Sequence, residues 1–127
     1  MDFSNIKKHI ADRINKLVSI DVYSVFALPE ASYPFVVYNL PPVGLNDDGV
    51  FFNRVLDIDV YSVDSEDDAL ENATLISNGL NGYVFNTVDG SFRTDISIDG
   101  QIPSDPNVKP LLFRMNQRYT IKVLRNV

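Results

Sequence analysis

The sequence predicts an α+β fold: one mostly antiparallel β-sheet with two α-helices packed on one face. Three observations predict it. Apolar residues recur at helical spacing in two stretches, near 3–17 and 64–80. Two other stretches, 53–62 and 113–123, alternate apolar and polar side chains, the mark of strands with one wet face. Between these lie short β-branched and aromatic runs broken by proline, glycine and aspartate. A chain of 127 residues supplies one core, so residues 1–127 are read as a single domain.

In chain order, Phe3, Ile6, Ile10, Ile14 and Leu17 form one face of an amphipathic helix, with Lys7, Lys8, Asp12, Arg13 and Lys16 between them. Ser4 or Asp2 is suited to cap its start. "DVYSVFAL" at 21–28 reads as a short strand, closed by the two prolines of "PEASYP". "FVVYNL" at 35–40 is a second strand, ended by Pro41 and Pro42. In the third, 53–62, Leu56, Ile58 and Val60 point one way, and Val55, Asp57, Asp59 and Tyr61 the other.

From Asp64 the period lengthens. Ala69, Leu70, Ala73, Ile76 or Ser77, and Leu80 mark a second helix face, closed at Gly82. Strands follow at 83–88 and 92–98 around the Asp89-Gly90 turn. The last strand directs Phe113, Met115, Tyr119, Ile121 and Val123 inward, and Arg114, Asn116, Arg118, Thr120 and Lys122 outward. The order is α-β-β-β-α-β-β-β.

Cysteine is absent, which removes disulfides, thiolate catalysis and Cys-ligated zinc. No run is long and apolar enough to span a membrane, and the N-terminal stretch lacks the apolar core of a signal peptide. The net charge of −6 is unevenly spread. Residues 21–108 carry fifteen acids and two bases, net −13; the two ends carry nine bases and two acids, net +7. Long-range attraction to nucleic acid requires a basic surface, and only the last strand offers a basic stripe, through Arg114, Arg118, Lys122 and Arg125. A subunit with unlike regions also suits head-to-tail association.

"DIDVYSVDSEDD" at 57–68 gathers six acids. A calcium loop beginning at Asp57 and Asp59 requires an oxygen ligand at 61 and glycine at 62, where Tyr61 and Ser62 stand. An aspartyl-nucleophile phosphatase requires a downstream lysine, and the one base between Arg54 and Lys109 is Arg93. The simpler reading makes Asp57 and Asp59 solvent-side strand residues. Asp64, Glu66, Asp67 and Asp68 then serve a helix N-terminus, with Asp64 and Asp67 approximating a capping box. His9, the single histidine, lies off the apolar stripe and reads as a surface residue. No phosphate-binding glycine motif occurs. No catalytic residue, metal ligand or cofactor is therefore assigned.

The two long connections, 41–53 and 99–110, are the places where a domain of this size carries recognition. The first holds Asp47 and Asp48 followed by Val50, Phe51 and Phe52, which read either as a recognition patch or as the buried start of the next strand.

The elements carrying "YPFVVYNL", "VLDIDVYSVDSEDDALENATLI" and "RMNQRYTIKV" follow an N-terminal helix in that order. This arrangement resembles the tail-completion proteins of long-tailed bacteriophages, the tail terminator or tail-to-head joining family. There a proline precedes an apolar strand, a "D-V-Y-S" strand runs into the acidic start of the second helix, and an "R-Y-x-I-x-V" strand ends the chain. The resemblance covers nearly the whole chain and rests on structural motifs. It implies a non-enzymatic virion protein, without cofactor, assembled in the host cytoplasm. Its ring, usually of six subunits, would cap the head-proximal end of the tail tube. Its partners would be its own copies, the major tail tube protein and the head connector, with DNA passing through the channel unread and no membrane involved. On that reading the interface candidates are Asp47, Asp48, Val50, Phe51, Phe52, Arg114, Arg118 and Lys122, with Asp47 and Asp48 repelling DNA in the channel. The alternatives are another neck or adaptor protein, a small acidic metal-binding domain or enzyme using the 57–68 carboxylates, and a monomeric binding module built on the 41–53 loop.

Overall fold

A computed structural model describes residues 3–25, 27, 30–40, 53–63, 65–103, 106, 107 and 109–126. The elements are α1 (Phe3–Leu17), β1 (Asp21–Ser24), β2 (Phe35–Asn39), β3 (Asn53–Val63), α2 (Glu66–Leu80), β4 (Tyr83–Thr87), β5 (Gly90–Ile102) and β6 (Leu112–Asn126). The strands form one six-stranded sheet ordered β1-β2-β3-β6-β5-β4. Every neighbouring pair is antiparallel except β1 with β2. The α+β architecture expected from the sequence is the one observed.

Helix spacing explains the inner layer. Ile6, Ile10 and Ile14 of α1 are buried, as are Ala69, Ala73, Ile76 and Leu80 of α2. Both sets pack on Val36, Tyr38, Leu56, Ile58, Val60, Tyr119 and Ile121 in one cluster. At about 25 cal/mol per Å² of apolar area removed from water, this shared face is the main stabilising term. Leu70, assigned to that face from the sequence, is instead 47% exposed, because the narrower stripe 69-73-76-80 suffices to meet the sheet.

Three boundaries show how the structure departs from the sequence expectation. β1 ends at Ser24 and not at residue 28, because Val25 turns out of the strand with φ 71° while its N–H donates to the Tyr38 carbonyl at 2.8 Å. A β-branched residue in the left-handed region costs of order 1–3 kcal/mol, which the surrounding structure must offset. β5 runs on to Ile102, so residues 99–102, read as loop, pair with Arg114–Gln117 of β6. α2 is capped by Ser65, whose hydroxyl accepts from the Asp68 N–H at 3.2 Å; Asp64 of the expected capping box lies outside the described residues. Glu66, Asp67 and Asp68 do occupy the first turn, where the helix dipole favours acids.

At the other end of α2, Gly82 adopts φ 76° and donates its N–H to the Thr94 carbonyl at 2.7 Å, so the expected glycine stop holds. The two helices meet there. The Arg13 guanidinium donates twice to the Gly79 carbonyl, at 3.2 and 3.0 Å, and lies 4.3 Å over the Tyr83 ring. A cation supplied by α1 thus satisfies a carbonyl at the C-terminal end of α2.

Candidate functional site

The face of the sheet turned away from the helices carries Arg114, Arg118 and Lys122, the interface candidates that fall among the described residues. Strand alternation places Asp57, Asp59 and Tyr61 of β3 there, beside Arg114, Asn116 and Arg118 of β6. Antiparallel register sets Asp57 opposite Arg118 and Asp59 opposite Asn116, with Arg114 on the diagonal. The Arg118 Nε donates to Asp57 Oδ1 at 2.9 Å. Asp59 Oδ1 accepts from both Arg114 Nε and Asn116 Nδ2, each at 2.9 Å.

The basic stripe expected on the last strand is present, but its Arg114 and Arg118 are paired with carboxylates. Lys122 lies 3.8 Å from Asp95, which also accepts from Arg93 at 3.0 Å. The hydrogen bond to Asp59 raises the Arg114 pKa and that to Asp57 raises the Arg118 pKa, so both guanidiniums stay charged at any relevant pH. Because these pairs are exposed to solvent screening, they fix strand register more than they add stability. Along this net runs a depression of about 300 Å³ lined by Asn39, Asp57, Asp59, Arg114, Asn116 and Arg118 among others.

Aromatic rings border it. Phe35 is buried against Tyr23, Tyr33 and Tyr61, with ring centroids 5.8, 4.8 and 5.1 Å away. The Arg114 guanidinium stands 5.7 Å from the Tyr61 ring. Burial, reinforced by Asp59, raises the Tyr61 pKa and keeps the phenol neutral. Asp47, Asp48, Val50, Phe51 and Phe52 lie outside the described residues. Among the described residues no three acidic or histidine side chains converge as a metal site would require, and Asp57 and Asp59 are turned to arginine.

His9 corrects a second expectation. It is half-buried and partnered, not freely exposed: its ring stacks on Phe85 at 4.5 Å and its Nε2 lies 2.8 Å from the Tyr83 hydroxyl. Desolvation there lowers its pKa.

Charge that is not cancelled in this way lies on the helix layer. α1 exposes Lys7, Lys8 and Lys16 with a single acid, Asp12. α2 exposes Glu66, Asp67, Asp68 and Glu71, and its sequence contains no base. The sequence hides this distribution. Its segregation of charge along the chain suggests one acidic and one basic region, yet folding lays the basic C-terminal strand directly against acidic β3. The alternation in 53–62 and 113–123 does reveal the outward faces; only the register that pairs them is missing.

No family model matches the chain, and no curated protein matches it. A solved structure whose designation says nothing of function aligns over 100% of this chain and 99% of its own, at 14% identity and TM-score 0.72. The chain is similar to that structure in fold. No helix among the described residues is long and apolar enough to cross a membrane.

Proposed function

We propose that this chain is a structural subunit of virus assembly, a tail-completion protein. In this role copies of it form a ring at the head-proximal end of a phage tail tube, stop the tube from growing and present the surface that meets the head connector. The order of elements and the strand and helix sequences that resemble the tail terminator family motivate the reading. The observation that carries it furthest is the way charge is sorted. The outer sheet face pairs its acids with its bases, while the helix layer keeps a basic α1 and an acidic α2. Unlike patches on one surface favour repeated contact between identical subunits, since each copy offers what its neighbour lacks.

The role is mechanical and needs no catalysis. DNA passes the ring without base readout, in keeping with the net charge of −6. Sedimentation and native mass spectrometry over a range of concentrations test the assembly part of the reading. Closed species of one size above the dimer, usually six subunits in such rings, are expected. A chain that forms only dimers, even with tail tubes present, would rule the ring out.

A further inference from the structure

The outer face of α2 combines two features that isolated surface helices keep apart. Leu70 and Leu75 are 47% and 43% exposed; Leu75 sits with Asp67 and Glu71 on the side of the helix away from Ala69, Ala73 and Ile76, and Leu70 lies on the flank next to Asp67. Leu75 lies one turn beyond Glu71, so apolar and acidic groups share a single stripe. No basic side chain occurs anywhere on α2, so nothing within the helix neutralises it. The outer face of α1 is the counterpart: Lys8 and Lys16 are exposed, with Asp12 one turn from each and Lys7 beside them, so the face is net basic, and Arg13 is already committed to Gly79 and Tyr83. A lysine stem is four methylenes long and covers apolar surface while its ammonium reaches a carboxylate.

We infer that α2's outer face docks α1 of a second copy of this chain, with lysine stems over Leu70 and Leu75 and ammonium groups on Asp67 and Glu71. The inference rests on the self-assembly reading above and names its contact. The sheet's outer face is a poorer choice for this contact, because Asp57, Asp59 and Asp95 are already matched by Arg118, Arg114 and Arg93 within the subunit. Charge complementarity identifies the occupant as this chain itself: a polyanion would be repelled by α2, and a generic basic partner would leave α1 unmatched.

Charge exchange tests it on the full chain. The pairs are Lys8→Glu with Lys16→Glu, and Asp67→Lys with Glu71→Lys, each alone and then combined in one chain. Association is followed by sedimentation at about 50 mM and about 500 mM salt, where screening lengths differ roughly threefold. Since Asp67 sits in the first turn of α2, Glu71→Lys is also made singly, with circular dichroism confirming that each variant folds. Each single-patch exchange is expected to weaken association about tenfold or more, high salt to weaken the wild type, and the combined exchange to restore association. Assemblies larger than dimers that ignore every exchange would overturn this contact and leave the ring reading standing. Exchange-sensitive dimers that never grow further would keep the contact and overturn the ring. A wild type that stays monomeric at low salt and high concentration would overturn the contact outright.

Discussion

His9 sits where burial favours its neutral form. Its ring lies flat on Phe85 and its Nε2 meets the Tyr83 hydroxyl, while Asp12, Lys16 and Arg13 provide smaller, opposed influences. Burial lowers the folded-state pKa below the ordinary 6.5, so the unfolded chain binds the proton first as pH falls. The stabilising contribution is therefore complete above 6.5 and is lost as pH drops through the window below it. Urea midpoints should fall between pH 7.5 and pH 5.5 in the wild type, and fall less in His9→Gln; equal slopes would refute the assignment. Gln117 is the second residue whose role local pattern conceals. It is fully buried, donates to the Ala73 carbonyl at 2.7 Å and accepts from the Tyr119 hydroxyl at 2.7 Å. Gln117→Leu leaves the Tyr119 hydroxyl without its acceptor, and about 2 kcal/mol of stability should disappear from urea unfolding. The signal was present, since residue 117 is in phase with Met115 and Tyr119 and must face inward. What no sequence shows is that a helix carbonyl waits there.

Elements in this fold are held by contacts distant in sequence, which is why their existence was legible and their ends were not. Both helices follow from apolar spacing alone. β5, however, continues past Asp99-Gly100 because β6 offers a partner as far as Arg114, a pairing that local glycine and aspartate propensities argue against. The α1–α2 contact is similarly invisible in either helix by itself. A methyl group on Gly79 would come within 2.2 Å of Leu17 Cδ2 and 2.9 Å of Leu17 Cγ. Gly79→Ala should thus destabilise the protein despite a helix-propensity gain of about 1 kcal/mol. Leu17→Ala removes the obstructing atoms, so the double variant should be more stable than the sum of the two single changes predicts. Strict additivity in thermal or urea unfolding would show that the helices do not meet there in solution.

At the scale of the whole molecule, the candidate site was legible in part. Alternation in the last strand identified Arg114, Arg118 and Lys122 as outward-facing, and the acids of β3 likewise. Their mutual neutralisation depends on register, which depends in turn on strands brought together from opposite parts of the chain. Once those pairs are made, the separated charge on α1 and α2 stands out among the described residues, and self-assembly is the function we propose for it. The most direct measurement of that role is tail-tube growth in vitro, imaged by negative stain, with the protein added during polymerisation. The account predicts tubes of shortened length, with a ring of added density at one end and none along the walls. Tubes that grow to the same length with bare ends would contradict it.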